Sequence, residues 1–360
     1  MDYDMTAPIP RHLRVRGADI QLYRIGLSLF SPQHYYYERR RFYNPLLIFI
    51  ILITNFMKSL VFIYAHFRNI KLSPFIHIYF GSLDYFMGTG CTTSILLISF
   101  DIFAISSQLV SYHNYKHGII PTDLRVFKMV AGLISPKSIG ITDRLLISKI
   151  CDICRKSLIV GKIAVNIVPI LGFSYSFNPY VMSGNYYYII VVGIPLSIYF
   201  SIWARHIINI TVYQTVYYFV LTYYLKSKIK SINNVIKSRL INISHTRNYF
   251  YIKGLIYDLN AIYCEISEYN RNYWSKFLAS VWLTFSLLIC YFAHLFLFDK
   301  VNMVINVISV KMSLLYSVQL LFIIHVSATL YREAKNTYNL LNSHISHSNK
   351  MPNICKLKVN

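Results

Sequence analysis

Runs of about twenty apolar residues, each long enough to cross the roughly 30 Å hydrocarbon core of a bilayer as a helix, recur along the whole chain. Nothing else in the sequence restricts its fold as much. Residues 45–66, 75–100, 157–177, 277–298 and 306–330 each meet that length. A sixth region, 186–225, is apolar for 40 residues, about 60 Å of helix at ~1.5 Å per residue. Only 14% of the 360 residues are charged and 55% are hydrophobic, at a mean hydropathy of +0.42, whereas soluble domains run nearer roughly a quarter charged. That apolar content excludes an intrinsically disordered chain. The length and the six scattered cysteines exclude a secreted disulfide scaffold. The formal charge of +22 lies between apolar runs rather than on a polar scaffold, which argues against a nucleic-acid partner. The expected class is an all-α polytopic membrane helix bundle in contact with the lipid bilayer.

Region 186–225 is either one helix projecting far beyond the bilayer or a hairpin turning at Arg205–His206. Loop charge decides, because Lys and Arg in short loops stay cytoplasmic. Read as one helix, seven Lys/Arg fall in residues 1–44, eight in 109–156, eight in 226–275 and five after 330, giving 28 on one side. The other side has only Arg68, Lys71 and Lys300. Read as a hairpin, the split is 17 against 15 and the bias disappears. One long fourth helix is therefore expected, with six spans and both termini cytoplasmic. The first 24 residues lack an apolar signal core, so no cleaved leader is expected. The Asn209-Ile-Thr211 and Asn242-Ile-Ser244 sequons, one inside the long helix and one cytoplasmic, should stay unglycosylated.

The domain reading follows from this topology: a cytoplasmic segment 1–44, a bundle over 45–330, and a C-terminal helix and tail over 331–360, loose from 343 onward. Within 226–275, Ile229, Ile232, Val235, Ile236 and Leu240 recur at helical spacing. Ile252, Leu255, Ile256, Leu259, Ile262, Ile266 and Tyr269 repeat the pattern. These stripes predict extensions of the fourth and fifth spans that pack together as a cytoplasmic stalk. Asp258, Glu265 and Glu268 on the second extension favour that over resting on anionic lipid.

Ionisable residues within spans are costly and usually functional. Asp84 falls in the second span, with Lys58 and Lys162 as possible partners. Asp101 falls at that span's cytoplasmic end, where solvation is expected. Lys311 can snorkel, and His294 and His325 lie at different depths. His113–His117, His344–His347 and the single Cys151-x2-Cys154 do not make metal sites by spacing, and no cofactor is expected. No GxSxG, phosphate loop or HExxH occurs, so the chain is read as not an enzyme. No inverted repeat supports a transporter of that type.

Three segments together resemble the insect and arthropod gustatory and odorant receptor superfamily: FVLTYYLKSKIKSINNVIK at 219–237, LIYDLNAIYCEISEYNRNYWSKFL at 255–278, with Asn270, and LLFIIHVSATLYREAKNTYNLLNSHI at 320–345. The resemblance extends over roughly residues 40–345. It implies a gustatory-type, ligand-gated cation channel subunit at the plasma membrane, a homo- or hetero-tetramer with related subunits, and a small-molecule tastant as ligand. The family's seventh helix, ending in Thr-Tyr, five apolar residues and Gln-Phe, has no counterpart here. An incomplete or alternatively spliced product, or a non-conducting regulatory subunit, is therefore an expected alternative, beside a multi-pass transporter or scaffold. A G-protein-coupled receptor is opposed by the charge orientation and by the absence of its DRY-like and NPxxY motifs.

The family pocket lies in the outer half of the bundle. By depth, this assigns Asp84, Tyr85, Phe173, Tyr175, Tyr291, His294, Tyr316 and Gln319 to ligand binding, aromatic walls with a few polar groups.

Overall fold

The computed structural model describes residues 7–15, 45–82, 84–85, 91–116, 124–141, 143–182, 184–239, 245–298 and 303–347. Among the described residues every regular element is helical and no strand occurs. In chain order the helices are α1 (Pro45–Phe67), the short α2 (Pro74–Tyr79), α3 (Thr92–Lys116), α4 (Leu124–Ala131), α5 (Arg144–Met182), α6 (Ile194–Arg239), α7 (His245–Tyr269), α8 (Ser275–Phe298) and α9 (Met303–His347). A 3₁₀ turn at Pro136–Ile139 precedes α5, and single π-helical turns at Tyr188–Gly193 and Asn270–Trp274 lead into α6 and α8. Three stretches, Phe49–Phe67, Arg144–Asn178 and Tyr188–Ser238, are long and apolar enough to cross a membrane. Thr92–Ser107 and Leu278–His294 are shorter apolar helical stretches.

The helical path runs from Tyr188 to Arg239 without a break at Arg205–His206, so the 40-residue apolar region is one helix and not a hairpin. With 46 residues, α6 is ~69 Å long. It is the hub of the bundle, lying along α5 and α9 and touching α1 and α3. Small residues let the chain around α5 and α6 approach closely. A Cβ added at Gly193 would stand 2.9 Å from the Tyr180 side chain, and one at Gly172 3.2 Å from the Ala204 methyl. Leu52, Phe103, Ile150, Ile210, Leu221 and Phe285 fill the resulting core. Outward, the bundle exposes an apolar surface: Ile53 and Val61 on α1, Ile163 and Ile170 on α5, Leu283 and Leu287 on α8, Leu314 and Leu321 on α9. Soluble monomers rarely show a contiguous apolar patch beyond a few hundred Å².

The second apolar run does not form the continuous span expected over 75–100. Pro74 opens α2, where its missing N–H costs nothing, and Gly81, at φ +62°, ends it in a turn. Asp84 and Tyr85 are again helical, 86–90 lie outside the described residues, and α3 begins at Thr92. Hydropathy averaged over the run is blind to Gly81, whose positive φ lets the backbone leave the helix. The later helix start changes the register of everything after it. Asp101 lies nine residues inside α3 rather than at a solvated end, and it is fully buried.

At the far end of α6 the predicted stripes are the buried ones. Ile229, Ile236, Leu255, Leu259, Ile262 and Tyr269 are all buried, and Ile236 and Leu255 centre a second small core shared with Leu340 and Leu341 of α9. The stalk thus has three helices, not two. Residues 343–347 continue α9 instead of forming a loose tail, and 348–360 lie outside the described residues. The described part of the N-terminal segment is tucked against this same end: Ile9 and Val15 are buried, and the Val15 N–H donates to the Val130 carbonyl at 2.9 Å.

Candidate ligand site

The eight residues assigned by depth fall into three groups. Asp84 is buried and caps α3: Oδ1 accepts from the Thr93 N–H at 2.6 Å, and Oδ2 from the Ser94 N–H at 2.9 Å and the Ser94 hydroxyl at 2.5 Å. A carboxylate is well placed at a helix N-terminus, where it satisfies free N–H groups and meets the positive end of the dipole. Tyr175 on α5 lies within electrostatic reach of both Asp84 and Tyr291 of α8, at the end opposite the stalk.

Tyr316 forms the second group. Its buried ring meets Phe285 at 5.3 Å, Phe292 at 6.1 Å and Phe100 at 6.3 Å, and Tyr291 joins through an edge contact with Phe292 at 5.1 Å. One turn on, the Gln319 amide donates to the Thr215 hydroxyl at 3.3 Å, tying α9 to α6.

The remaining residues are Tyr85, Phe173 and His294. Tyr85 stacks on His77 at 4.5 Å, and His77 stacks on Phe62 at 5.5 Å, which makes an aromatic column joining α1 and α2. Phe173 packs on Phe177 of its own helix at 5.4 Å. His294 is exposed. Tyr180 holds the same end of the bundle closed by donating to the Ile78 carbonyl at 3.0 Å.

The most polar buried centre was missed by the sequence reading. Asp101 accepts from Trp203 Nε1 at 2.6 Å and from Asn55 Nδ2 at 2.8 Å, and all three residues are buried. Lys58, one turn from Asn55, faces the same carboxylate electrostatically, and its ammonium stands 6.0 Å from the Tyr199 ring centroid. Tyr199 in turn donates to the Ile51 carbonyl at 2.8 Å. The middle of α1 and of α3 is thereby joined to the first third of α6. The available signal was Asn55 and Lys58 one turn apart on an otherwise apolar helix.

Among the described residues no group of three or more metal-ligating side chains converges. Cys151 and Cys154 are buried thiols on α5, while His117 and the side chains of His113, His344 and His347 lie outside the described residues. No family model matches the chain, and no curated protein or solved structure matches it either.

Proposed function

We propose that this chain is a gustatory-type chemoreceptor subunit of the plasma membrane, crossing the bilayer six times with both termini cytoplasmic and sensing a small molecule in the outer half of its bundle. One observation carries the reading: α6 is a single rod that reaches from the end holding Asp84, Tyr175 and Tyr291 to the stalk. A ligand that prefers one packing of α5, α6 and α8 at the outer end shifts the population of stalk arrangements at the other. The exposed apolar surface supports a lipid surround. The 28-to-3 division of Lys and Arg supports the orientation. Assembly with related subunits into a tetramer, and cation conduction by that assembly, follow from the family resemblance.

A second reading, a transporter, draws on the Asp101–Lys58 centre, since buried charges midway through a bundle also mark ion and proton paths. Reconstituting the full chain, alone and with related subunits, separates the two. Tastant-evoked cation current with no substrate uptake supports the receptor. Substrate uptake coupled to an ion gradient, without evoked current, supports the transporter.

A further inference from the structure

A cavity of about 600 Å³ opens among the start of α5, the stalk part of α6, and α7. No residue of the outer candidate site takes part in it. Ile232, Leu255 and Ile262 give it apolar walls, while Asp143, Asp258 and Glu265 bring three carboxylates against the single ammonium of Lys228. In a chain of net charge +22 that local balance is inverted.

The charges are not equivalent. Lys228 is committed to the wall: its ammonium lies 3.2 Å from Glu265 Oε2 and 4.9 Å from the Tyr224 ring centroid. The other oxygen of Glu265 accepts from the Tyr269 hydroxyl at 3.0 Å. Asp143 caps α5 through the Leu145 N–H at 2.9 Å. Asp258, on the same face of α7 as Glu265, has no counter-ion among the described residues. Gly254 leaves the wall open, because a Cβ there would meet nothing within 4 Å. The volume lies within the roughly 300–1,000 Å³ of small-molecule sites, which combine apolar walls with a few placed charges.

We propose that this cavity binds a small organic cation, an amine with an apolar body, whose ammonium pairs with Asp258 while its body lies against Ile232 and Leu255. A charge-assisted hydrogen bond to this exposed carboxylate, which no described protein cation occupies, gives the selectivity. The apolar walls exclude simple metal ions as the preferred ligand. Because α6 and α7 both line the cavity, an occupant braces the two stalk helices against each other.

The test is a fluorescence titration of the full chain in phosphatidylcholine nanodiscs with monodansylcadaverine, using empty discs as the blank and the N-acetylated probe as the neutral comparison. Saturable binding of the amine is expected, with binding of the acetylated probe about tenfold weaker. Asp258→Asn should weaken the amine by about tenfold and leave the acetylated probe unchanged. Gly254→Phe, which fills the cavity and replaces a poor helix former with a better one, should abolish binding of both. Equal binding of amine and acetylated probe, or amine binding that persists in Gly254→Phe, overturns the proposal. The measurement requires neither current nor a tastant, so its failure is separate from failure of the receptor reading.

Discussion

Trp203 donates its indole N–H to Asp101 Oδ1 at 2.6 Å, from α6 to α3, in a place where both side chains are shut off from solvent. Asn55 supplies the second donor from α1. Removing one member of such a buried charged network leaves the others without partners, which costs about 3–5 kcal/mol. Asp101→Leu should therefore lower the unfolding temperature of the detergent-purified protein strongly. The double variant Lys58→Met/Asp101→Leu should lose less than the sum of the two single changes, because it removes the buried carboxylate together with the half-buried ammonium that faces it. Strict additivity would show that Lys58 and Asp101 are not coupled.

Gly193 is where the π turn entering α6 passes the Tyr180 ring, and an added Cβ would sit 2.9 Å from that side chain. Tyr180 is itself anchored to α2 through the Ile78 carbonyl and has little room to give. Gly193→Ala should cost about 1–3 kcal/mol by overpacking, more than Gly172→Ala, whose Cβ meets the Ala204 methyl at 3.2 Å. Thermal unfolding of the two variants side by side checks the order.

What could be read in advance follows from what repeats. The buried stripe of α7 and the outer half of α6's stalk stripe were legible because burial recurs at helical spacing from Ile229 to Ile236 and from Leu255 to Tyr269. The unbroken α6 was legible because a hairpin at Arg205–His206 would have erased the bias of Lys and Arg between alternate loops. The turn at Gly81 was not, since a hydropathy average carries no information on φ. The error it caused hid Asp101, whose partners lie 46 and 102 residues away in sequence and come level only when α3 starts at Thr92. In the candidate site, counting residues from helix ends gives depth but not face. Direction turns by about 100° per residue. Tyr175 lies within electrostatic reach of Tyr291, while Phe173, two residues from Tyr175, packs along its own helix and His294 is exposed.

Asp84 accepts three hydrogen bonds from Thr93 and Ser94, so its first role is to start α3. Asp84→Ala should cost about 1 kcal/mol, within the 0.5–2 kcal/mol range for lost N-caps, and should lower surface expression together with any ligand response. Tyr175→Phe removes only a hydroxyl and should alter ligand sensitivity at unchanged expression. Surface biotinylation alongside a dose–response series tells these apart.

In the stalk, Asn233 is 2% exposed and donates to the Glu333 carbonyl at 3.3 Å and to Glu333 Oε2 at 3.4 Å, fastening α6 to α9. Asn233→Ala should cost about 1–3 kcal/mol and make the final turns of α9 more susceptible to limited proteolysis. An unchanged cleavage pattern would mean that the Ile236–Leu255 core alone holds the third stalk helix in place.

In the proposed orientation the stalk faces the cytoplasm. Lys71, between α1 and α2, is exposed, and the native Cys264 is exposed on α7, so one introduced thiol and one native thiol report on opposite ends. In cells expressing Lys71→Cys, a membrane-impermeant maleimide should label the chain at the surface above the level of the unsubstituted chain. Cys264 should become reactive only after permeabilisation, its contribution being the part of the signal that Cys264→Ser removes. Labelling of Cys264 in intact cells, with Lys71→Cys protected, would contradict the orientation and with it the proposed outer ligand site.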